Sequence, residues 1–172
     1  MKTSLRCLSS FILVCSVVIF FLVPYIAQEQ GSATANQDDR ALDFTLRDLD
    51  GRNVNLSDYK GKTILLYFMA TWCPECRSAI PHLKEIYSLY NAKGLVLLII
   101  DVMESKEKAA AFSRRYSLPL SILLDEDGKV CRSYGVVSVA VRALIDSNGR
   151  IICWNCRSFD SLLAKQFEMN TK

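Results

Sequence analysis

The chain has 172 residues, of which 51% are hydrophobic and 23% are charged, a balance typical of one globular domain with additional segments. Its net charge is +3, and Lys2 and Arg6 supply two of these charges within a stretch that has no acids, so the remainder is nearly neutral. Nucleic-acid-binding domains carry an excess of positive charge that the rest of this chain lacks, and we therefore expect no nucleic acid among the partners.

The first predicted element is an apolar segment near the N-terminus. No charged residue occurs from Cys7 to Gln28, and the most apolar part runs from Phe11 to Val23. Positive charges before it and acids after it are typical of an export signal or of a membrane anchor. The run is long for a signal and just long enough to span a bilayer, which favours an uncleaved N-terminal membrane anchor at 1–26 over a cleaved signal.

Both alternatives place the rest of the protein in the extracytoplasmic space, in the periplasm or at the cell exterior. A cleaved segment would make the protein secreted. Disulfides persist in such oxidising compartments. Residues 27–40 are small and polar and predict a flexible linker, and 41–172 then form the folded domain.

The domain is predicted to begin with a β-hairpin, in which strands at 44–46 and 53–56 flank a turn at Asp48–Gly51. Thr63–Met69 predicts a buried strand, and Pro74–Ala92 predicts a helix with an apolar stripe. The later predicted elements are a buried strand at 95–100, a helix at 104–116, a short strand at 121–124, a hairpin of strands 140–145 and 150–154, and a closing helix at 160–168. This order predicts an α/β fold, a central mixed β-sheet flanked by helices, with an N-terminal β-hairpin extension.

A Cys-x-x-Cys motif, Trp72-Cys73-Pro74-Glu75-Cys76, occupies the predicted turn from strand to helix. At a helix N-terminus, unpaired backbone N–H groups favour a thiolate, which indicates redox chemistry at Cys73. Pro74 suits the first helical position, where its missing N–H leaves no bond unmade. Cys76 falls on the apolar stripe, whereas Cys73 lies at the helix end and is expected to be the exposed, attacking residue. A permanent disulfide or half of a metal site are the alternatives.

Several motifs occur together in one order: Asp43–Leu46, Leu56–Lys62, Trp72–Cys76, Pro81, Leu123–Lys129, Tyr134–Val136 and Leu144–Asp146. In this combination the chain resembles the thioredoxin superfamily, in its TlpA/ResA-like branch of exported thiol–disulfide oxidoreductases, over residues 41–152. The resemblance implies a thioredoxin fold with a catalytic, redox-active pair Cys73 and Cys76 and no cofactor. It also implies disulfide-containing exported proteins and a membrane thiol donor as partners, with cytochrome c biogenesis as one setting.

Two departures from the family pattern affect the predicted site. Ala140 stands where the family usually has a cis-proline, so we expect a trans bond between Val139 and Ala140 and an altered substrate-docking loop. Tyr67 stands where thioredoxins keep a buried acid, and Ala79 stands where some ResA-like proteins have a glutamate. No proton acceptor for Cys76 can therefore be named from the sequence.

A second Cys-x-x-Cys, formed by Cys153 and Cys156, lies near the last predicted strand, where the family generally has none. A straight strand would point these residues to opposite faces, so they can pair only if Trp154-Asn155 turns the chain. A local disulfide, an electron relay to the first motif and free thiols remain open, with Cys131 as a possible third partner.

The functional hypothesis is thiol–disulfide exchange, in which Cys73 attacks a substrate disulfide and Cys76 resolves the mixed disulfide. The charge of Glu75 beside Cys73 disfavours the thiolate and so favours a disulfide reductase. A redox-inactive module that binds a protein partner or a metal ion is the alternative, although no metal site is predicted. His82 is expected at the surface. Peroxiredoxins, which resemble this fold, use a Thr-x-x-Cys motif, whereas Thr71 is only two residues before Cys73, so a peroxidase is disfavoured.

Overall fold

The computed structural model describes residues 40–120, 122–156 and 158–169, so the predicted anchor at 1–26 and all but the last residue of the predicted linker lie outside the described part. The elements in chain order are β1 Thr45–Asp48, β2 Asn53–Asn55, β3 Ile64–Met69, α1 Pro74–Tyr90, β4 Val96–Val102, α2 Lys106–Tyr116, β5 Ile122–Asp125, α3 Lys129–Ser133, β6 Val141–Ile145, β7 Ile151–Trp154 and α4 Phe159–Met169. Within the described ranges, no helix combines the length and the apolar character needed to cross a membrane.

The strands form one mixed sheet in the order β2-β1-β5-β4-β3-β6-β7. The central strands β5, β4 and β3 are parallel, whereas β1, β2 and β6 are antiparallel to their neighbours, as is β7. Strand β3 is buried at all six positions, which explains its continuous apolar sequence. The predicted α/β fold is confirmed, and the predicted N-terminal hairpin joins the sheet because β1 pairs with β5.

Apolar side chains on the two faces of the sheet form two clusters. Leu65 and Tyr67 of β3 point to the face that α1 and α4 cover, where they pack with residues such as Ile80 and Leu163. The alternate positions of β3 point to the opposite face, with Phe44 and α3. Burying a Leu or Ile side chain contributes about 1.5–3 kcal/mol, so these clusters hold the sheet and helices together.

One short helix, α3, is not among the elements expected from the sequence. The Asp125 carboxylate at the end of β5 accepts hydrogen bonds from the backbone N–H groups of Val130 and Cys131, at 3.2 and 2.8 Å. These bonds satisfy donors that a short helix leaves unpaired in its first turn. The helix is thus specified by a carboxylate that lies outside it.

Strand directions bring several chain segments to one edge of the sheet. The carboxyl ends of β3 and β4 lie at this edge, and so does the start of β6, because β6 is antiparallel to β3. Strand β7 runs antiparallel to β6 and therefore ends at the same edge. The two Cys-x-x-Cys motifs, which follow β3 and end β7, consequently share it.

Candidate active site

Cys73 lies between β3 and α1 and caps the helix N-terminus. Its Sγ accepts a hydrogen bond from the backbone N–H of Cys76 at 3.2 Å, while its own N–H donates to the carbonyl of Ala70 at 3.1 Å. Pro74 occupies the first helical position, as the sequence predicts. A negative charge on this sulfur would face the unpaired N–H groups of the helix end, where anions are stabilised.

The two sulfurs differ in burial less than the sequence suggests. Cys76 is 0% exposed and Cys73 is 6% exposed, so the order is as predicted but the expectation of an exposed Cys73 is wrong. Val139 and Ala140, in the loop before β6, pack against the same apolar cluster as both cysteines. Trp72, in contrast, is 66% exposed beside the pair. Both cysteines are free thiols, so the structure represents the reduced dithiol.

The buried position of Cys76 shifts its titration. Burial raises the pKa of the Cys76 thiol to about 12, with a further increase from its hydrogen bond with Cys73. The backbone of Ala70 and the Tyr67 hydroxyl act in the opposite direction, because each can donate a hydrogen bond to a Cys76 thiolate. Cys76 is therefore a neutral thiol at pH 7 that needs help to ionise.

Tyr67 occupies the position at which thioredoxins keep a buried acid. Its hydroxyl faces the Cys76 thiol, without a fully formed hydrogen bond in the part of the chain that the structure describes. Burial, and next the proximity of Cys76, raise the pKa of Tyr67 far above its usual value, and Arg142 only partly offsets this. Tyr67 consequently remains protonated and can act as a donor to Cys76, but not as a base.

The turn before Cys73 is held from two sides by charged side chains. The carboxylate of Glu104, between β4 and α2, accepts hydrogen bonds from the Thr71 backbone N–H and, at 2.9 Å, from the Thr71 hydroxyl. The guanidinium of Arg77 donates to the carbonyls of Thr71 and Trp72, at 3.2 and 2.9 Å. The sequence analysis did not identify Glu104 or Arg77 as site residues. Glu104 could have been suspected, because it follows a parallel strand and functional sites of α/β sheets lie beyond the carboxyl ends of such strands.

The loop at Ala140 differs from a cis-proline loop. The described residues contain no cis peptide bond, so the bond before Ala140 is trans, as expected from the missing proline. Ala140 has a φ of 69°, and its N–H donates to the Phe68 carbonyl at 2.9 Å, a bond that a proline could not make. Val137, three residues before Ala140, is 99% exposed, so this loop presents an apolar side chain to solvent. Glu75, in the first turn of α1, is also exposed.

Cys153 and Cys156 form a disulfide, with 5.7 Å between their Cα atoms. The chain turns at Asn155, whose φ of 46° allows the two residues to face each other. Cys131 is a free, buried thiol that donates to the carbonyl of Val136 on the opposite face of the sheet, and so it is not the third partner.

The histidine lies away from the thiols and on the surface. His82 of α1 contacts the exposed Asp160 of α4, with 3.1 Å between Nε2 and Oδ1. In the described ranges, no group of three or more histidine, cysteine or acidic side chains is arranged to hold a metal ion.

Comparisons with known proteins agree with this geometry. The model of the AhpC/TSA family matches residues 38–153. A thiol–disulfide oxidoreductase ResA from Bacillus thuringiensis subsp. konkukian is 30% identical over 142 residues, which are 82% of this chain and 80% of that protein. A ResA from Geobacillus thermodenitrificans is 38% identical over 111 residues, so the match spans 64% of each protein. The solved thioredoxin domain of a thiol–disulfide oxidoreductase from Bacteroides vulgatus is similar with a TM-score of 0.67 and 26% identity, over 77% of this chain and 96% of that one.

Proposed function

The chain belongs to the AhpC/TSA family, among the thioredoxin-fold oxidoreductases named ResA, and from that premise we propose that it reduces disulfides through Cys73 and Cys76. One observation carries the proposal. The Cys73 sulfur caps a helix N-terminus, and Cys76 lies directly behind it as a fully buried partner. This arrangement suits an attacking sulfur followed by a resolving one.

In the proposed cycle, the Cys73 thiolate attacks one sulfur of a substrate disulfide. A bond forms between Cys73 and that sulfur as the substrate S–S bond breaks, and the second substrate sulfur leaves as a thiolate that takes up a proton. Cys76 then loses its proton and attacks Cys73. The substrate leaves with both sulfurs reduced, the protein keeps the Cys73–Cys76 disulfide, and a thiol donor must return the two electrons.

The direction of the reaction follows from the environment of Cys76. Strong oxidants of this fold stabilise their reduced form as a thiolate, which makes them release electrons reluctantly. Burial that raises the pKa of Cys76 removes such stabilisation from the second sulfur. The exposed Glu75 adds a negative charge beside Cys73. Both features favour the disulfide form of the protein, and thus a reductase.

The proposed compartment is the extracytoplasmic space, with residues 1–26 as a membrane anchor. The Cys153–Cys156 disulfide supports this proposal, because structural disulfides persist mainly outside the reducing cytosol. The proposed partners are disulfide-containing exported proteins and a membrane thiol donor. Apocytochrome c, as in cytochrome c biogenesis, is one candidate substrate of this class.

Reduction of insulin by the full-length chain, with dithiothreitol as the electron source, tests the proposed activity. We expect Cys73→Ser to lower the rate to the uncatalysed background, because no other sulfur caps the helix. Cys131→Ala is the matched control and is expected to keep the rate, since Cys131 lies on the opposite face of the sheet. A wild-type protein without activity, with Cys73 and Cys76 inert to thiol reagents, would instead indicate a binding module.

A further inference from the structure

A buried carboxyl group has no part in the thiol chemistry described above. Asp101 lies near the carboxyl end of β4, beside Met69 of β3 and Leu124 of β5, and is 0% exposed. Neither of its oxygens accepts a hydrogen bond from an N–H or hydroxyl group among the residues that the structure describes. An ionised carboxylate is very unfavourable in such a place. Burial, together with the charge of Glu104, raises the pKa of Asp101 to about 8, so the group is neutral at pH 7.

Glu104 connects this buried acid to the active-site turn. It is 7% exposed, and each of its oxygens accepts a hydrogen bond from Thr71, one from the backbone N–H and one from the hydroxyl. Thr71 is two residues before Cys73. Any change in the position of the Glu104 carboxylate must therefore move the turn that carries the attacking sulfur.

The charges around Asp101 leave Glu104 as its main partner. The neighbouring strands contribute Met69 and Leu124, which do not titrate. From α2, Lys108 lowers the pKa of Asp101, but its ammonium lies 3.9 Å from Glu104 and its side chain is 68% exposed, so solvent screens its effect. Asp101 lies opposite Met69, and Glu104 binds Thr71 two residues further along, so both acids lie beside the same end of β3. Two neighbouring carboxyl groups attract each other only when a proton lies between them.

We propose that Asp101 and Glu104 share one proton, and that this pair positions the turn before Cys73 for attack on a disulfide. A protonated Asp101 donates to Glu104, and Glu104 holds Thr71 by its two hydrogen bonds. Loss of the proton in alkaline solution places two negative charges together and loosens the turn. Both acids are positioning residues, because neither contacts a reacting sulfur. Their effect on the rate rests on the proposed disulfide exchange, whereas the shared proton and its hold on Thr71 do not.

The shared proton is tested directly by nuclear magnetic resonance on the reduced full-length chain, with carboxyl carbons and backbone amides followed between about pH 6 and 10. We expect the Asp101 carboxyl carbon and the Thr71 amide proton to titrate together near pH 8. Glu104→Gln is expected to abolish this transition at Thr71. An Asp101 that ionises near pH 4, or a Thr71 amide that does not follow the titration, would overturn the proposal.

The effect on the reaction is tested by the pH profile of disulfide reduction. Asp101→Asn keeps a donor toward Glu104 but cannot lose a proton, so the wild type should lose rate relative to this variant as the pH rises through about 8, by roughly threefold or more. Asp50→Asn, at an exposed acid in the β1–β2 hairpin, is the control and should follow the wild-type profile. A constant ratio between Asp101→Asn and the wild type across this range would contradict a role in positioning. If the wild type reduces no disulfide at any pH, the proposed function fails, and the resonance measurement still decides the shared proton.

Discussion

At the scale of single residues, the burial of Cys76 both protects its sulfur and makes it difficult to ionise. The raised pKa of Cys76 means that resolution of a mixed disulfide requires a group that stabilises the emerging thiolate. Tyr67 is placed for this role, because its buried hydroxyl faces Cys76 and stays protonated. Because Tyr67 stands where thioredoxins have an acid, we expect it to assist Cys76 by donating a hydrogen bond rather than by accepting a proton.

Tyr67→Phe removes this donor with little change in shape. A hydrogen bond to a charged group contributes about 1.5–3 kcal/mol, so we expect the resolution step to slow by about tenfold or more. The attack of Cys73 should change less, and the mixed disulfide between Cys73 and substrate should accumulate in acid-quenched samples analysed by mass spectrometry. Tyr116→Phe, on α2, is the control, and it should not trap this intermediate.

The raised pKa of Asp101 also predicts how stability depends on pH. The folded state holds this proton up to about pH 8, whereas the unfolded chain releases it near its ordinary value of 3.8. Between these values the folded state binds more protons, so the free energy of unfolding falls as the pH rises. The Asp101→Asn variant has no carboxyl group at this position, so its free energy of unfolding does not fall for this reason as the pH rises. Its stability relative to the wild type should increase from about pH 4 to pH 8, by about 5 kcal/mol, and level off above pH 8.

Urea unfolding at several pH values measures this difference. The Asp50→Asn variant serves as control, because its carboxylate is exposed and pairs with Arg52 at the surface. A stability difference between Asp101→Asn and the wild type that stays constant from pH 4 to 8 would show that Asp101 has an ordinary pKa.

At the scale of elements, the second Cys-x-x-Cys fastens the end of β7 to the start of the segment that leads into α4. Cys153 is 4% exposed and packs in the same cluster as Phe159 and Leu163 of α4. This packing favours a structural disulfide. In an electron relay to Cys73, the partly buried Cys156 would be the sulfur that exchanges.

Replacing both Cys153 and Cys156 by serine tests this assignment. A disulfide that closes such a short loop stabilises a protein by about 2 kcal/mol, and we expect a loss of this size in urea unfolding. The rate of insulin reduction at 25 °C should remain near that of the wild type. A normal stability combined with a large loss of rate would indicate the relay instead.

At the scale of the whole molecule, local sequence patterns predict the strands and the main helices because their apolar periodicity is itself a local property. Thr63–Met69 is predicted as a buried strand, and its apolar residues Ile64–Met69 form one that is buried at every position. The helix α3 was missed because its cap, Asp125, belongs to the preceding strand. The sequence motif likewise indicates Cys73 and Cys76, but it says little about their burial, which depends on residues from distant elements that pack in the same cluster.

The acids near the site could not be predicted, for a related reason. Glu104 and Thr71 are 33 positions apart, and they meet only because β3 and β4 are parallel and end at one edge of the sheet. The positive φ of Ala140 is a similar case. The missing proline predicts the trans bond, but the left-handed conformation occurs together with a hydrogen bond to Phe68, which is 72 positions away in the chain.

The central claim is that Cys73 and Cys76 form a reducing dithiol pair, and a redox titration tests it most directly. The full-length chain is equilibrated in buffers of defined thiol–disulfide potential, its free thiols are alkylated, and each cysteine is quantified by mass spectrometry. We predict that Cys73 and Cys76 convert together as a two-electron couple, with a potential below about −220 mV, while Cys153–Cys156 stays oxidised over that transition. A potential near about −120 mV, as in strong oxidants, or the absence of a coupled transition at Cys73 and Cys76 would contradict the claim.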